Sequence, residues 1–278
     1  MTHPEQPQRD RRTGASKLRS VPPQPPRGAP SYWLTGTEPV RGLMEFQNTL
    51  WSIPWLMSAR HGDGHAVFVL PGLMASDGST LVLRNYLDFL GYRVYGWHLG
   101  RNVGPTNAVV HELPAAVERI AQRSGGKVTL IGWSLGGIYA RNLAQRRPSD
   151  VRQVITLGSP YRLNDPAQSR ADRTFQRYSH LHATEGPVPN IELSAKPLTV
   201  PSTSIYSRLD GIVAWDRCIE PTGPFSENIR VRASHLGFGV DAYTLWAIAN
   251  RLAQPADSWT PFKAPLPLRA FYPTPDEG

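Results

Sequence analysis

Residues 127–137 read KVTLIGWSLGG: a short apolar run, then Gly132-Trp133-Ser134-Leu135-Gly136, then the beginning of a helical pattern. This is a G-x-S-x-G at a strand-to-helix corner, a context in which a serine can serve as a nucleophile. A chain that turns sharply there crowds its neighbours around the corner residue. Glycines two before and two after Ser134 remove the side chains that would collide. The hydroxyl then stands above the sheet edge, beside the unpaired N–H groups of a helix N-terminus. The pentapeptide alone also describes an ordinary glycine-rich turn, so the chemistry depends on partners.

A serine hydroxyl is too weak an acid to attack unaided and needs a general base within hydrogen-bond reach. Of eight histidines, His3, His61, His65, His98 and His111 precede the serine, while His180 and His182 fall in an irregular stretch after it. His235 is the one beyond, in VRASHLGFG, just past the last strand pattern. Reactive groups of parallel sheets gather at that carboxyl edge. A carboxylate should then orient the imidazole and stabilise it when protonated. Asp210, in STSIYSRLDGIV, follows a strand pattern directly and precedes a glycine, where an Asx turn is compatible with such a role. Asp216 and Glu220 lie farther from the strand end, and Asp165 is the runner-up. An oxyanion would need backbone donors. The amide of Leu135, next to the nucleophile, supplies one; the loop LPGLMASDG at 70–78 supplies the other, Leu73 first and Met74 second.

The elements that must position these groups follow from the apolar pattern. Strand-like runs occupy 66–70, 92–97, 128–131, 151–157, 203–207 and 228–232; helical patterns occupy 79–90, 107–123, 136–146 and 240–252. Continuous Val/Ile/Leu strands alternating with helices predict an α/β fold, a mostly parallel sheet of about six strands covered on both faces. Residues 38–57 predict a further helix that Pro54 should kink or end. Between 158 and 200 the alternation fails. A polar, helical piece at 166–182 and a proline-containing loop there predict a lid or cap over the site. The domain therefore spans 31–254, between an arm at 1–30 and a proline-rich tail at 255–278. Trp259, Phe262, Phe271 and Tyr272 predict that the tail docks on the domain.

The segments PGLMASDG, GWSLGG, ITLGSP, YSRLDGIVAW and SHLGFG, in this order, resemble the α/β-hydrolase superfamily. Within it they are most similar to bacterial esterase/lipase-like members related to lipases and the GPI inositol-deacylase-like group. The resemblance covers about residues 67–252. It implies Ser134 as nucleophile, Asp210 as acid, His235 as base, and the Leu73 and Leu135 amides as oxyanion donors. It also implies a sheet that starts at the third strand of the full pattern. Two departures stand out. Pro71-Gly72 replaces the His-Gly often found before the oxyanion donor, and the antiparallel strands that usually open the fold are not evident. The expected activity is cleavage of carboxylic esters through an acyl-enzyme on Ser134, the substrate a small-molecule or lipid-like ester. An acyltransferase using the same acyl-enzyme, and a non-catalytic binding protein on the same fold, are the alternatives.

Composition bounds the rest. At 278 residues and 40% apolar content, the chain can bury one substantial core. The net charge is +8, and the first 30 residues carry Arg9, Arg11, Arg12, Lys17, Arg19 and Arg27 against Glu5 and Asp10, with seven prolines. That composition reads as a disordered arm. Without interleaved aromatics it is expected to solubilise rather than bind nucleic acid, though it or the Trp51/Trp55 segment is a candidate for peripheral membrane contact. No apolar region follows Arg11-Arg12, so no export signal is expected, and no apolar run is long enough to span a bilayer. A lone cysteine, Cys218, excludes an intrachain disulfide and fits a cytoplasmic protein. No cofactor is expected. His61-Gly62-Asp63-Gly64-His65 could in principle ligate a metal, but its glycines give no rigid presentation and it precedes the first strand, opposite the proposed site; no metal is expected.

Overall fold

Six strands pair in one parallel sheet: β1 Ala66–Leu70, β2 Arg93–Tyr95, β3 Val128–Trp133, β4 Val151–Leu157, β5 Ser202–Ser207 and β6 Ser226–Val231. Their order is β2-β1-β3-β4-β5-β6, with every pairing parallel. The computed structural model describes residues 28–163, 165, 168–221, 223–256 and 258–276. The basic arm expected at 1–30 lies outside the described residues except for its last three positions.

A parallel sheet needs cover on both faces, and the period-2 alternation of β1 shows how it is obtained. Val67 and Val69 face one apolar cluster, shared with α2 (Leu81–Phe89) and α7 (Ala242–Leu252). Ala66, Phe68 and Leu70 face the other, shared with α3 (Asn107–Ser124) and α4 (Leu135–Arg146). Thr106 caps α3 by accepting from Val109 N–H at 3.4 Å, and Gly125 ends it at φ 67°, a left-handed turn that glycine takes without a Cβ penalty.

The N-terminal helix α1, Tyr32–Leu56, starts six residues earlier than its pattern suggested and contains both Pro39 and Pro54. Pro54 was expected to kink or end the helix, and the helix continues two residues past it to Leu56. Packing accounts for this: Trp55 stacks on Trp246 of α7 at 4.7 Å and Leu56 is buried in the core. Among its described residues, the insertion between β4 and β5 carries the short helices α5 (Asp172–Arg177) and α6 (Ile191–Ala195), with a 3₁₀ turn at Ser179–Leu181. The helix expected across 166–182 thus resolves into one helix of six residues and that turn; 166 and 167 lie outside the described residues. The segment is fixed by tertiary bonds, such as His182 Nε2 to the Val103 carbonyl at 3.0 Å, rather than by a continuous helical face.

The proline-rich tail lies against the domain. The Tyr272 hydroxyl donates to the Tyr243 carbonyl at 2.7 Å, Phe271 stacks on Tyr243 at 4.3 Å, and Trp259 meets Phe225 edge-on.

Candidate active site

Ser134 sits between the last residue of β3 and the first of α4 with φ 53° and ψ −120°, a left-handed conformation that a side-chain-bearing residue adopts only under constraint. The flanking glycines supply the constraint. A Cβ on Gly132 would lie 2.3 Å from Gly137 Cα, and one on Gly136 would lie 2.3 Å from the Leu70 carbonyl oxygen. Any larger residue at either position would push α4 off the sheet. The serine amide is tied to the Leu157 carbonyl at 2.8 Å, which anchors the corner to β4.

The base and acid expected from the sequence meet at the same edge. His235 Nδ1 and Asp210 Oδ2 are 2.6 Å apart, and both residues are buried. The other carboxylate oxygen, Oδ1, accepts from the amides of Ile212 and Val213, each at 2.8 Å. Asp210 is therefore fixed by its own turn while its free oxygen addresses the ring. The Trp133 indole, beside the serine, donates to the His235 carbonyl at 3.1 Å and so ties the histidine loop to the elbow. Burial works against a charged imidazole here, but the Asp210 carboxylate, by charge and hydrogen bond, and Glu38, by charge, outweigh it, and the basicity of His235 is raised.

Leu73 and Leu135 flank the serine, and all three line the same cavity. The Leu135 amide is the first of α4, with no carbonyl one turn earlier in the helix to bond. Met74, the second choice for a donor, has its amide committed to the Asn102 carbonyl at 2.7 Å. Gly72 sits so close that a Cβ there would lie 3.1 Å from Ser134 Cβ. The cavity measures about 340 Å³ and is walled by Pro105, Ile138, Tyr139, Pro160, Leu163, Phe175, Ile191 and Val213, with Asp165 and Asp172 also on its lining. The insertion after β4 thus contributes much of an apolar wall in front of the serine.

Residues 66–216, more than half of the chain, match the family model described as the alpha/beta hydrolase fold. The chain belongs to the α/β-hydrolase family. Among solved structures this chain is similar to the lipase B of Aspergillus fumigatus, with a TM-score of 0.53, 16% identity, and coverage of 72% of this chain and 56% of that one. It is also similar to the monoacylglycerol lipase of Paleococcus ferrophilus, with a TM-score of 0.51, 19% identity, and coverage of 70% and 96%. A curated relative, the biotin biosynthesis bifunctional protein BioHC of Teredinibacter turnerae, is 40% identical over 48 residues, which span 17% of this chain and 8% of that protein.

Other candidates of the sequence have different occupations in the fold. Glu220 is paired with Arg141 at 2.8 Å and Asp216 with Arg217 at 2.9 Å, while Asp165 lies on the cavity wall and Asp210 holds the histidine. Within the glycine-spaced pair, His65 bonds Asp63 at 2.5 Å and the Thr129 hydroxyl at 2.9 Å. Among the described residues, no three His, Cys, Asp or Glu side chains converge as a metal site. The Cys218 thiol is buried, and burial pushes its pKa well up, the wrong direction for a nucleophilic thiolate.

Sequence reasoning missed the inner face of α1. Glu38 and Glu45 reach the histidine loop, Glu45 accepting from the Ser234 amide at 2.7 Å and hydroxyl at 2.6 Å. Burial raises the Glu45 pKa despite these bonds. The available signal was two glutamates seven apart on one side of an apolar helix pattern, which reads equally well as a solvated stripe.

Proposed function

We propose that this hydrolase cleaves carboxylic esters through an acyl-enzyme on Ser134. His235 takes the serine proton as the hydroxyl attacks the acyl carbon, and Asp210 holds the imidazole in place and stabilises it once charged. The Leu73 and Leu135 amides bind the tetrahedral oxyanion. The protonated His235 then gives its proton to the leaving alcohol, and afterwards accepts one from the water that releases the acid. The observation that carries this reading is the buried 2.6 Å Asp210–His235 pair tied to the elbow of a serine held at φ 53°. A Ser134→Ala protein should lose at least about 10³-fold in kcat on p-nitrophenyl butyrate, and fluorophosphonate should label the wild type alone. Turnover by Ser134→Ala at the wild-type rate would sink the proposal.

The apolar cavity supports a lipid-like ester, and so does the outer face of α1. The helix's three charged residues, Glu38, Arg41 and Glu45, are buried or half-buried. Its exposed large side chains are Tyr32, Trp33, Val40, Leu43, Met44, Leu50, Trp51 and Ile53, with Trp51 86% exposed. Tryptophans near both ends suit a membrane interface. The surplus of six basic over two acidic residues among the first 30 suits an anionic one. Adding anionic vesicles should raise kcat/KM for long-chain esters and leave short soluble esters unaffected. Equal rates with and without vesicles for every chain length, together with no co-sedimentation, would remove the lipid reading.

A further inference from the structure

The Glu38 carboxylate takes no part in the reaction as written, yet it touches both loops that carry the acid and the base. It lies on the second turn of α1 and is 1% exposed. A buried carboxylate is costly unless donors surround it. Oε1 accepts from the Gly211 amide at 2.7 Å and the His235 amide at 3.0 Å, and Oε2 accepts from the Leu236 amide at 2.9 Å. Arg41, one turn on, donates to Oε1 at 2.8 Å and, with its other terminal nitrogen, to the Leu209 carbonyl at 2.7 Å. The Thr35 hydroxyl donates to the Gly211 carbonyl at 2.6 Å. Both neighbours of Asp210 and the amide of His235 are therefore pinned to one face of one helix.

Such a tie matters because neither loop belongs to a paired strand, and the Trp133 indole holds only the His235 carbonyl. β5 ends at Ser207 and β6 at Val231, so Asp210 and His235 both project beyond paired backbone. Gly211 shows how closely the helix is applied: a Cβ there would lie 2.5 Å from the Leu34 carbonyl oxygen. Resting on the ester-hydrolase reading, we propose that Glu38 is a positioning residue that fixes the Asp210 loop against the His235 loop. It thereby keeps the imidazole in one orientation through the cycle. All four partners of its carboxylate donate, so an acceptor-only group is required; an amide would turn its NH₂ toward an N–H or the guanidinium. The charged groups facing the histidine loop are Asp210 from the loop after β5 and Glu38, Arg41 and Glu45 from α1.

Glu38→Gln tests this, with kcat expressed per site titratable by fluorophosphonate, so that loss of folded protein does not count. We expect kcat per site to fall about 10- to 100-fold with KM within about twofold. The acid limb of kcat/KM should move to lower pH by roughly half a unit or more, because a negative charge near the imidazolium is gone. Glu38→Asp keeps the charge on a shorter arm, so its limb should stay in place while kcat per site falls. This variant decides the matter if Glu38→Gln does not fold. Wild-type kcat per site in either folded variant, or a loss confined to melting temperature, overturns the proposal and leaves the esterase reading intact. A wild-type protein that neither labels nor loses activity in Ser134→Ala removes the esterase reading and this one with it.

Discussion

At the scale of single residues, the pair His235–Asp210 sets how the protein should respond to pH. The imidazole must be neutral to accept the serine proton, so activity is lost as pH falls through its pKa. Burial lowers that pKa, and the charges of Asp210 and Glu38 more than restore it, so it ends above the ordinary value of 6.5. The acid limb of kcat/KM for a short ester should therefore have its midpoint above 6.5, read from a pH–rate profile. A midpoint below that value would mean that desolvation dominates and that the carboxylates are screened.

At the scale of elements, the elbow is a contact between backbones. β1 and α4 approach until Gly136 leaves no room for a methyl group, since a Cβ there would meet the carbonyl oxygens of Leu70 at 2.3 Å and Pro71 at 2.8 Å. Neither backbone can give way without breaking strand pairing, so Gly136→Ala should destabilise the fold by about 3 kcal/mol or more. Gly126, after α3, has nothing within 4 Å of the same position. Gly126→Ala should stay within about 0.5 kcal/mol of wild type. Urea titrations of the two variants check the contrast. The expected G-x-S-x-G explanation was thus legible from residue spacing, because a steric exclusion between near neighbours is written into the local sequence. At Pro54 the local rule places the helix end only to within a turn: the helix runs two residues on to Leu56, where Trp55 stacks on Trp246 of α7 and Leu56 is buried.

At the scale of the whole molecule, Arg141 joins parts that the chain order keeps apart. From α4 it donates to the Ser194 carbonyl at 2.5 Å, the Lys196 carbonyl at 2.9 Å and the Glu220 carboxylate at 2.8 Å, with Tyr161 stacked 4.1 Å away. It is fully buried, so it couples the insertion and the loop between β5 and β6 to the helix that follows the serine. Arg141→Met leaves Glu220 buried without its charge partner and should cost about 3–5 kcal/mol. Glu220→Gln in the same background should recover part of that loss, measured by the urea midpoint.

The sequence by itself determined the parallel α/β sheet, and it pointed to Ser134 at the elbow with Asp210 and His235 as its expected partners. These follow from apolar periodicity, glycine spacing and the rule that reactive groups collect at strand ends. Only the tertiary structure shows the contact itself, with Asp210 Oδ2 2.6 Å from His235 Nδ1 while Glu220 and Asp216 are paired with arginines. Only it turned Glu38 and Glu45 inward onto the histidine loop. The physical reason is range. Strands, helices and tight corners are settled by neighbours a few residues apart. Which buried carboxylate meets which donor depends on how α1 packs across loops nearly two hundred residues later.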